Sequence, residues 1–136
     1  MPTKARHRVI IDTNLWISFL LTKDFSKLDT FFSDESIVLL FSQELLDEFV
    51  IVAGRPKLKK YFSLPDLEIL LSRLNTKAKF IEVSSCVSIC RDPKDNFLLS
   101  LAKDGSATHI LTGDKDLLVL KKIGRTKIMT ITEYLS

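Results

Sequence analysis

Arg8-Val9-Ile10-Ile11-Asp12-Thr13-Asn14 is the stretch that decides the fold class. Val9, Ile10 and Ile11 are β-branched without a polar interruption. A strand with one wet face would alternate, so this run reads as a strand covered on both faces. Ile37-Val38-Leu39-Leu40-Phe41 repeats the pattern, and shorter strands are expected at Lys79 to Val83, Thr108 to Leu111 and Lys127 to Ile131. Between them lie helical periods at Leu15 to Leu21, Ser26 to Phe32, Ser42 to Ala53, Leu64 to Asn75 and Pro93 to Lys103. A short basic turn or helix is expected at Lys57 to Phe62, and a last helical turn at Thr132 to Leu135. Continuous apolar strands alternating with helices predict an α/β domain with a parallel sheet. Such sheets bind ligands beyond the carboxyl ends of their strands.

The length of 136 residues suits one domain, 1–136, and no linker, repeat or charge block divides it. The apolar runs are too short to span a bilayer, and Asp12 interrupts the first, so a cytoplasmic protein without a membrane segment is expected. Cys86 and Cys90 are too few for a disulfide framework and lack a second pair for zinc; they read as two small thiols. The formal charge is +3, a modest excess that gains meaning because the candidate site is acidic. Positive charge must then lie elsewhere, where phosphates can meet it.

Four carboxylates occupy places that a fold normally denies them. Asp12 and Asp114 end strands, in Asp12-Thr13-Asn14 and in Leu111-Thr112-Gly113-Asp114-Lys115-Asp116. Glu48 falls at the edge of the stripe formed by Leu45, Leu46, Phe49, Val50, Val52 and Ala53. Asp95 projects from the first turn of its helix toward Leu99 and Ala102. Each also has a plain structural reading. Asp12 suits a helix cap, Glu48 a boundary residue with its head in water, Asp95 a first-turn acid after Asp92 and Pro93, and Asp114 a Gly-Asp turn. In a parallel sheet all four fall on one edge, and a charged carboxylate near a core costs several kcal/mol unless it is paired or binds a cation. One cation site assembled from distant parts of the chain accounts for all four, with Asp116 as a fifth ligand or a first-turn acid.

These same segments resemble the PIN-domain ribonucleases. The matching residues are Val9 to Asn14, Ser42 to Glu48, Asp92 to Leu99 and Leu111 to Leu117, in the family's order and over nearly the whole chain. The resemblance implies a three-layer fold with a five-stranded parallel sheet in the order 3-2-1-4-5. It also implies a catalytic, metal-binding quartet at Asp12, Glu48, Asp95 and Asp114, with Asp116 accessory. Arg55-Pro56-Lys57-Leu58 is similar to the bacterial branch described as toxins of toxin–antitoxin pairs. A small antitoxin partner is therefore expected. Other PIN domains process ribosomal RNA or degrade messenger RNA.

The expected chemistry is hydrolysis of RNA phosphodiesters with one or two Mg²⁺ or Mn²⁺ ions, which favour oxygen ligands. Thr13, Asn14 and Thr112 would orient the carboxylates, or only cap and turn. Arg55, Lys57, Lys59 and Lys60 would bind the RNA backbone, or form a solvated face. A homo-oligomer through Phe25 to Phe32 and Leu64 to Leu74 is a further expectation. Two rivals stand beside this reading. A haloacid-dehalogenase phosphatase needs a second aspartate where Asn14 stands, and a non-catalytic domain binding RNA or a partner would have lost an acid, whereas none is missing.

Overall fold

β1 (His7–Ile11) is the centre of the sheet, as its uninterrupted apolar run requires. The computed structural model describes residues 7–22, 26–84 and 93–136. β1 pairs in parallel with β2 (Ile37–Phe41) on one side and β4 (His109–Leu111) on the other. β3 (Ala78–Phe80) extends the sheet beyond β2, and β6 (Thr126–Met129) extends it beyond β4, again in parallel. The order is β3-β2-β1-β4-β6-β5. Its first five members reproduce the expected parallel order; the strand expected at Lys127 to Ile131 is β6.

The sheet has six strands rather than five. The additional β5 (Lys122–Ile123) runs antiparallel to β6, with Lys122 opposite Lys127 and Ile123 opposite Thr126. Two residues carry no periodicity, so only the turn could have announced this strand. Gly124, at φ +56, supplies the left-handed backbone that joins the two strands. β3 stops at Phe80 rather than Val83 because its neighbour ends: Phe41 pairs with Phe80, and past Phe41 the chain enters a helix.

Helices α1 (Thr13–Thr22), α2 (Ser26–Ser33), α3 (Gln43–Ala53), α4 (Pro56–Lys59), α5 (Leu64–Lys77), α6 (Pro93–Gly105), α7 (Lys115–Leu118) and α8 (Ile131–Leu135) surround the sheet. Polar side chains set several of their starts. Ser42 accepts from the Leu45 amide at α3, Ser63 and Asp66 close a capping box at α5, and Thr130 and Glu133 close one at α8. The core joins Ile10, Ile11, Leu39 and Leu40 of the sheet to Trp16, Leu20, Leu45, Phe49, Leu98 and Leu99 of the helices. The Trp16 ring lies 5.7 Å from Phe41 and 6.4 Å from Phe49. Its buried Nε1 finds no acceptor among the described residues, a cost of about 1–3 kcal/mol that this aromatic packing must exceed. Val50, expected on the apolar stripe of α3, is 44% exposed. At 100° per residue it stands farthest from the stripe's centre at Phe49.

At the amino edge of the sheet, the rings of His7 and His109 lie 4.7 Å apart, and Tyr134 crosses His109 edge-on at 4.9 Å. Burial first, then the charges of His7 and Lys127, push His109 down to about 4 from 6.5. The unfolded chain therefore takes this proton at a higher pH than the folded one. Its contribution to stability is complete above pH 6.5 and is lost as the pH falls toward 4. Urea unfolding across this window should show that loss, flattened in His109→Gln. Identical pH profiles for the two proteins would remove His109 as the cause.

No helix among the described residues is long and apolar enough to cross a membrane. Cys86, Cys90 and Asp92 lie outside the described residues.

Candidate active site

Parallel register brings the strand ends to one edge. Ile11, Leu111 and Met129 are aligned, and the Asp12 amide donates to the Leu111 carbonyl at 3.0 Å while the Thr112 amide donates to Met129 at 3.0 Å. The residues that follow the strands must then turn into helices. Asp12 leads into α1, Ser42 into α3 and Asp114 into α7, so the polar groups that start the helices collect at the edge where the strands stop.

Asp12 is 6% exposed. Its Oδ2 accepts the Thr112 hydroxyl at 2.7 Å, and the Asn14 amide also donates to its carboxylate. The aspartate therefore caps the start of α1 and belongs to the acidic site as well. Burial raises the Asp12 carboxyl above its usual 3.8, the Thr112 and Asn14 bonds pull it back, and the charges of Asp114 and Glu48 push it up again. The net direction is upward, so the hydrogen bonds do not offset burial and repulsion.

Glu48, half-buried, accepts the Thr13 hydroxyl at 2.6 Å. Thr13 is itself buried, so this bond fixes the glutamate head at the edge rather than leaving it to solvent. Asp114 caps α7 through Oδ1, which accepts the Asp116 amide at 2.9 Å, while its own amide donates to Thr112 Oγ1 at 3.0 Å. Thr112 thus donates to one carboxylate and accepts from the backbone of the next, which sets the relation of Asp12 to Asp114. The two threonines expected as orienting groups hold carboxylates. Asn14 contributes through its backbone, and its side chain is exposed.

Asp12, Glu48 and Asp114 therefore share one electrostatic environment. Asp116 stands in the first turn of α7, half-buried. Asp95 lies in the first turn of α6, and its side chain is outside the described residues. No group of three or more carboxylate, imidazole or thiol residues that could hold a metal ion forms among the described residues. The donors at the edge are hard oxygens, the ligand type that Mg²⁺ and Mn²⁺ prefer, and a cation there would relieve the repulsion already acting on Asp12.

Arg55, Lys57, Lys59 and Lys60 are exposed on α4 and its flanks, with the Lys60 ammonium 5.4 Å from the centre of the Tyr61 ring. α3 begins at the acidic edge and runs away from it. Gly54, where α4 is approached, lies about 9 Å along the axis from Glu48 at 1.5 Å per residue. The expected basic cluster is thus set back from the carboxylates rather than among them. The Thr13–Glu48 bond links residues 35 apart in sequence and left no local signal.

The alternating α/β order, the sheet topology and the acidic carboxyl edge define a chain of the PIN-domain family, to which this one belongs: the family's PIN domain matches residues 8–116. The chain is also similar to the uncharacterized protein MJ1680 of Methanocaldococcus jannaschii, 31% identical over 121 residues, covering 87% of this chain and 77% of that protein. That relative is archaeal and names no activity, so the bacterial toxin branch finds no support in it. PIN domains are in general nucleases that act on RNA and typically use divalent metals.

Proposed function

We propose that residues 1–136 form one cytoplasmic, metal-dependent endoribonuclease domain. The observation that carries this reading is the buried Asp12 carboxylate, fastened by Thr112 and pressed by the charges of Glu48 and Asp114. Beside a structural cap two further acids add repulsion, whereas in a cation site they add ligands. Asp12, Glu48, Asp95 and Asp114, with Asp116 accessory, would hold Mg²⁺ or Mn²⁺. The ion would supply an activated water and charge neutralisation at the phosphodiester. Thr112 and Thr13 hold their carboxylates in the orientation that binding needs, and Arg55, Lys57, Lys59 and Lys60 receive the RNA backbone.

A toxin role with a small antitoxin rests on the similarity of Arg55-Pro56-Lys57-Leu58 alone. Self-association would use the exposed Leu64 and Ile69 of α5. The experiment is cleavage of labelled single-stranded RNA with Mg²⁺, with Mn²⁺ and with EDTA. Cleavage is expected only with a divalent ion; equal cleavage in EDTA overturns the reading.

Thr112→Val tests the orienting role. It removes the donor to Asp12 and the acceptor for the Asp114 amide, so cleavage should fall about 10–100-fold, the usual effect of losing a group that orients a metal ligand. Thr112→Ser should recover most of the rate. A valine variant as active as the wild type would show that the hydroxyl only completes the turn.

A further inference from the structure

A cavity of about 570 Å³ opens at the amino edge of the sheet, between the end of α6 and the β5–β6 hairpin, away from the carboxylates. Its volume lies within the range of small-molecule sites, about 300–1,000 Å³. Leu99 and Ala102 of α6 and Ile123 of β5 give it apolar walls, and Lys103 and Arg125 stand at its rim, both exposed. Ser106, on the same lining, holds a left-handed φ of +53, a conformation that costs a non-glycine residue about 1 kcal/mol.

The hairpin carries an unusual charge arrangement. Lys122 and Lys127 are directly opposite across the two strands, where like charges destabilise the pair. Alternation turns both lysines to the one face away from Ile123 and Thr126, while Arg125 of the turn stands on the cavity side. Among the described residues the ion pair formed is Arg73–Asp29, and none of Lys103, Lys122, Arg125 or Lys127 has an acidic partner. Two cations at the rim of an apolar cavity, Lys103 and Arg125, with a repelling lysine pair on the other face of the same hairpin, fit a ligand that brings both negative charge and a flat apolar body.

We propose that this cavity binds a nucleotide, its base between Leu99, Ala102 and Ile123 and its phosphate on Lys103 and Arg125. The nucleotide is either free or one unpaired residue of an RNA strand that passes over the edge of the hairpin, its neighbouring phosphates meeting Lys122 and Lys127 on the other face. The second source rests on the reading of RNA as the substrate. It adds a contact on the edge opposite the carboxylates, which would set how a substrate is anchored rather than how it is cut.

The test is binding, in EDTA, to the full chain. Anisotropy of a labelled single-stranded RNA is compared for wild type, for Lys103→Ala with Arg125→Ala, and for the cavity-filling Ala102→Leu. The double variant should bind at least about fivefold more weakly, and its slope of log affinity against log salt should shrink by about 0.7, the contribution of the one phosphate that the two side chains share on a single strand. Ala102→Leu should weaken binding with the slope unchanged. In parallel, adenosine monophosphate is titrated against the amide resonances around the cavity. Shifts there identify a free nucleotide as a ligand; silence there with weakened RNA binding by both variants assigns the site to a strand. Wild-type RNA affinity in the double variant, together with no shifts, overturns the proposal. So does a folded Ala102→Leu that binds RNA and mononucleotide as the wild type does. If Ala102→Leu fails to fold, the double variant decides, since both of its positions are exposed. Binding that is intact here alongside absent metal-dependent cleavage would sink the proposed catalysis and leave this site standing.

Discussion

Asp12→Asn is expected to reduce RNA cleavage by more than about a hundredfold and to leave the metal-free fold intact, with a higher melting temperature at neutral pH. The lower bound follows from the loss expected at Thr112: orienting partners cost 10–100-fold, and a ligand itself must cost more. The stability sign follows from the balance at Asp12. Its carboxyl is shifted upward although the Thr112 hydroxyl and the Asn14 amide favour the charged form, so burial and the charges of Asp114 and Glu48 outweigh both bonds. Asparagine resembles the neutral state that the folded protein prefers. It keeps an oxygen for Thr112 and loses one acceptor, worth about 1 kcal/mol, against relief of the buried charge. Cleavage gels and thermal melts in EDTA measure the two effects on one sample. Undiminished cleavage by the purified variant would end the metal-site reading, whereas an inactive but unfolded variant would refute only the stability argument.

The parts of the fold legible in the sequence were those whose signal is continuous. Val9-Ile10-Ile11 could only be a strand covered on both faces, and Ser42 and Ser63 announced the helices they cap. β5 was illegible because two residues have no period, and its pairing depends on the turn at Gly124. The candidate site divides in the same way. That Asp12 and Asp114 would share an edge follows from where the strands end. That Thr112 would donate to Asp12 across 100 residues, and Thr13 to Glu48 across 35, depends on side-chain directions that no local pattern encodes. Val50 shows the converse: a hydrophobic period marks a stripe but not how far the neighbouring elements cover its margin.

Divalent ions are expected to stabilise the wild-type protein strongly at neutral pH and weakly in acid. An ion that binds only the folded state stabilises it by RT ln(1 + [L]/Kd), about 2.7 kcal/mol at a hundredfold excess over Kd. At roughly 4 °C per kcal/mol for a domain of this size, that is a rise of about 10 °C. The pH dependence has a definite sign. In the metal-free folded protein the Asp12 carboxyl is raised above 3.8, so folding retains a proton that the unfolded chain releases. The resulting penalty is absent at low pH, grows as pH rises through the unfolded value, and levels off above the folded one. A cation removes this penalty only where the carboxylate is ionised, so Mg²⁺ or Mn²⁺ should act most above that window and lose effect as the carboxylates take protons. Asp12→Asn should respond less than the wild type at every pH. Melting curves with and without saturating ion, at neutral and acid pH, supply the four comparisons. A wild-type melting temperature indifferent to both ions through the millimolar range would mean that the folded chain presents no cation site, and the acidic edge would then need another explanation for the strain it places on Asp12.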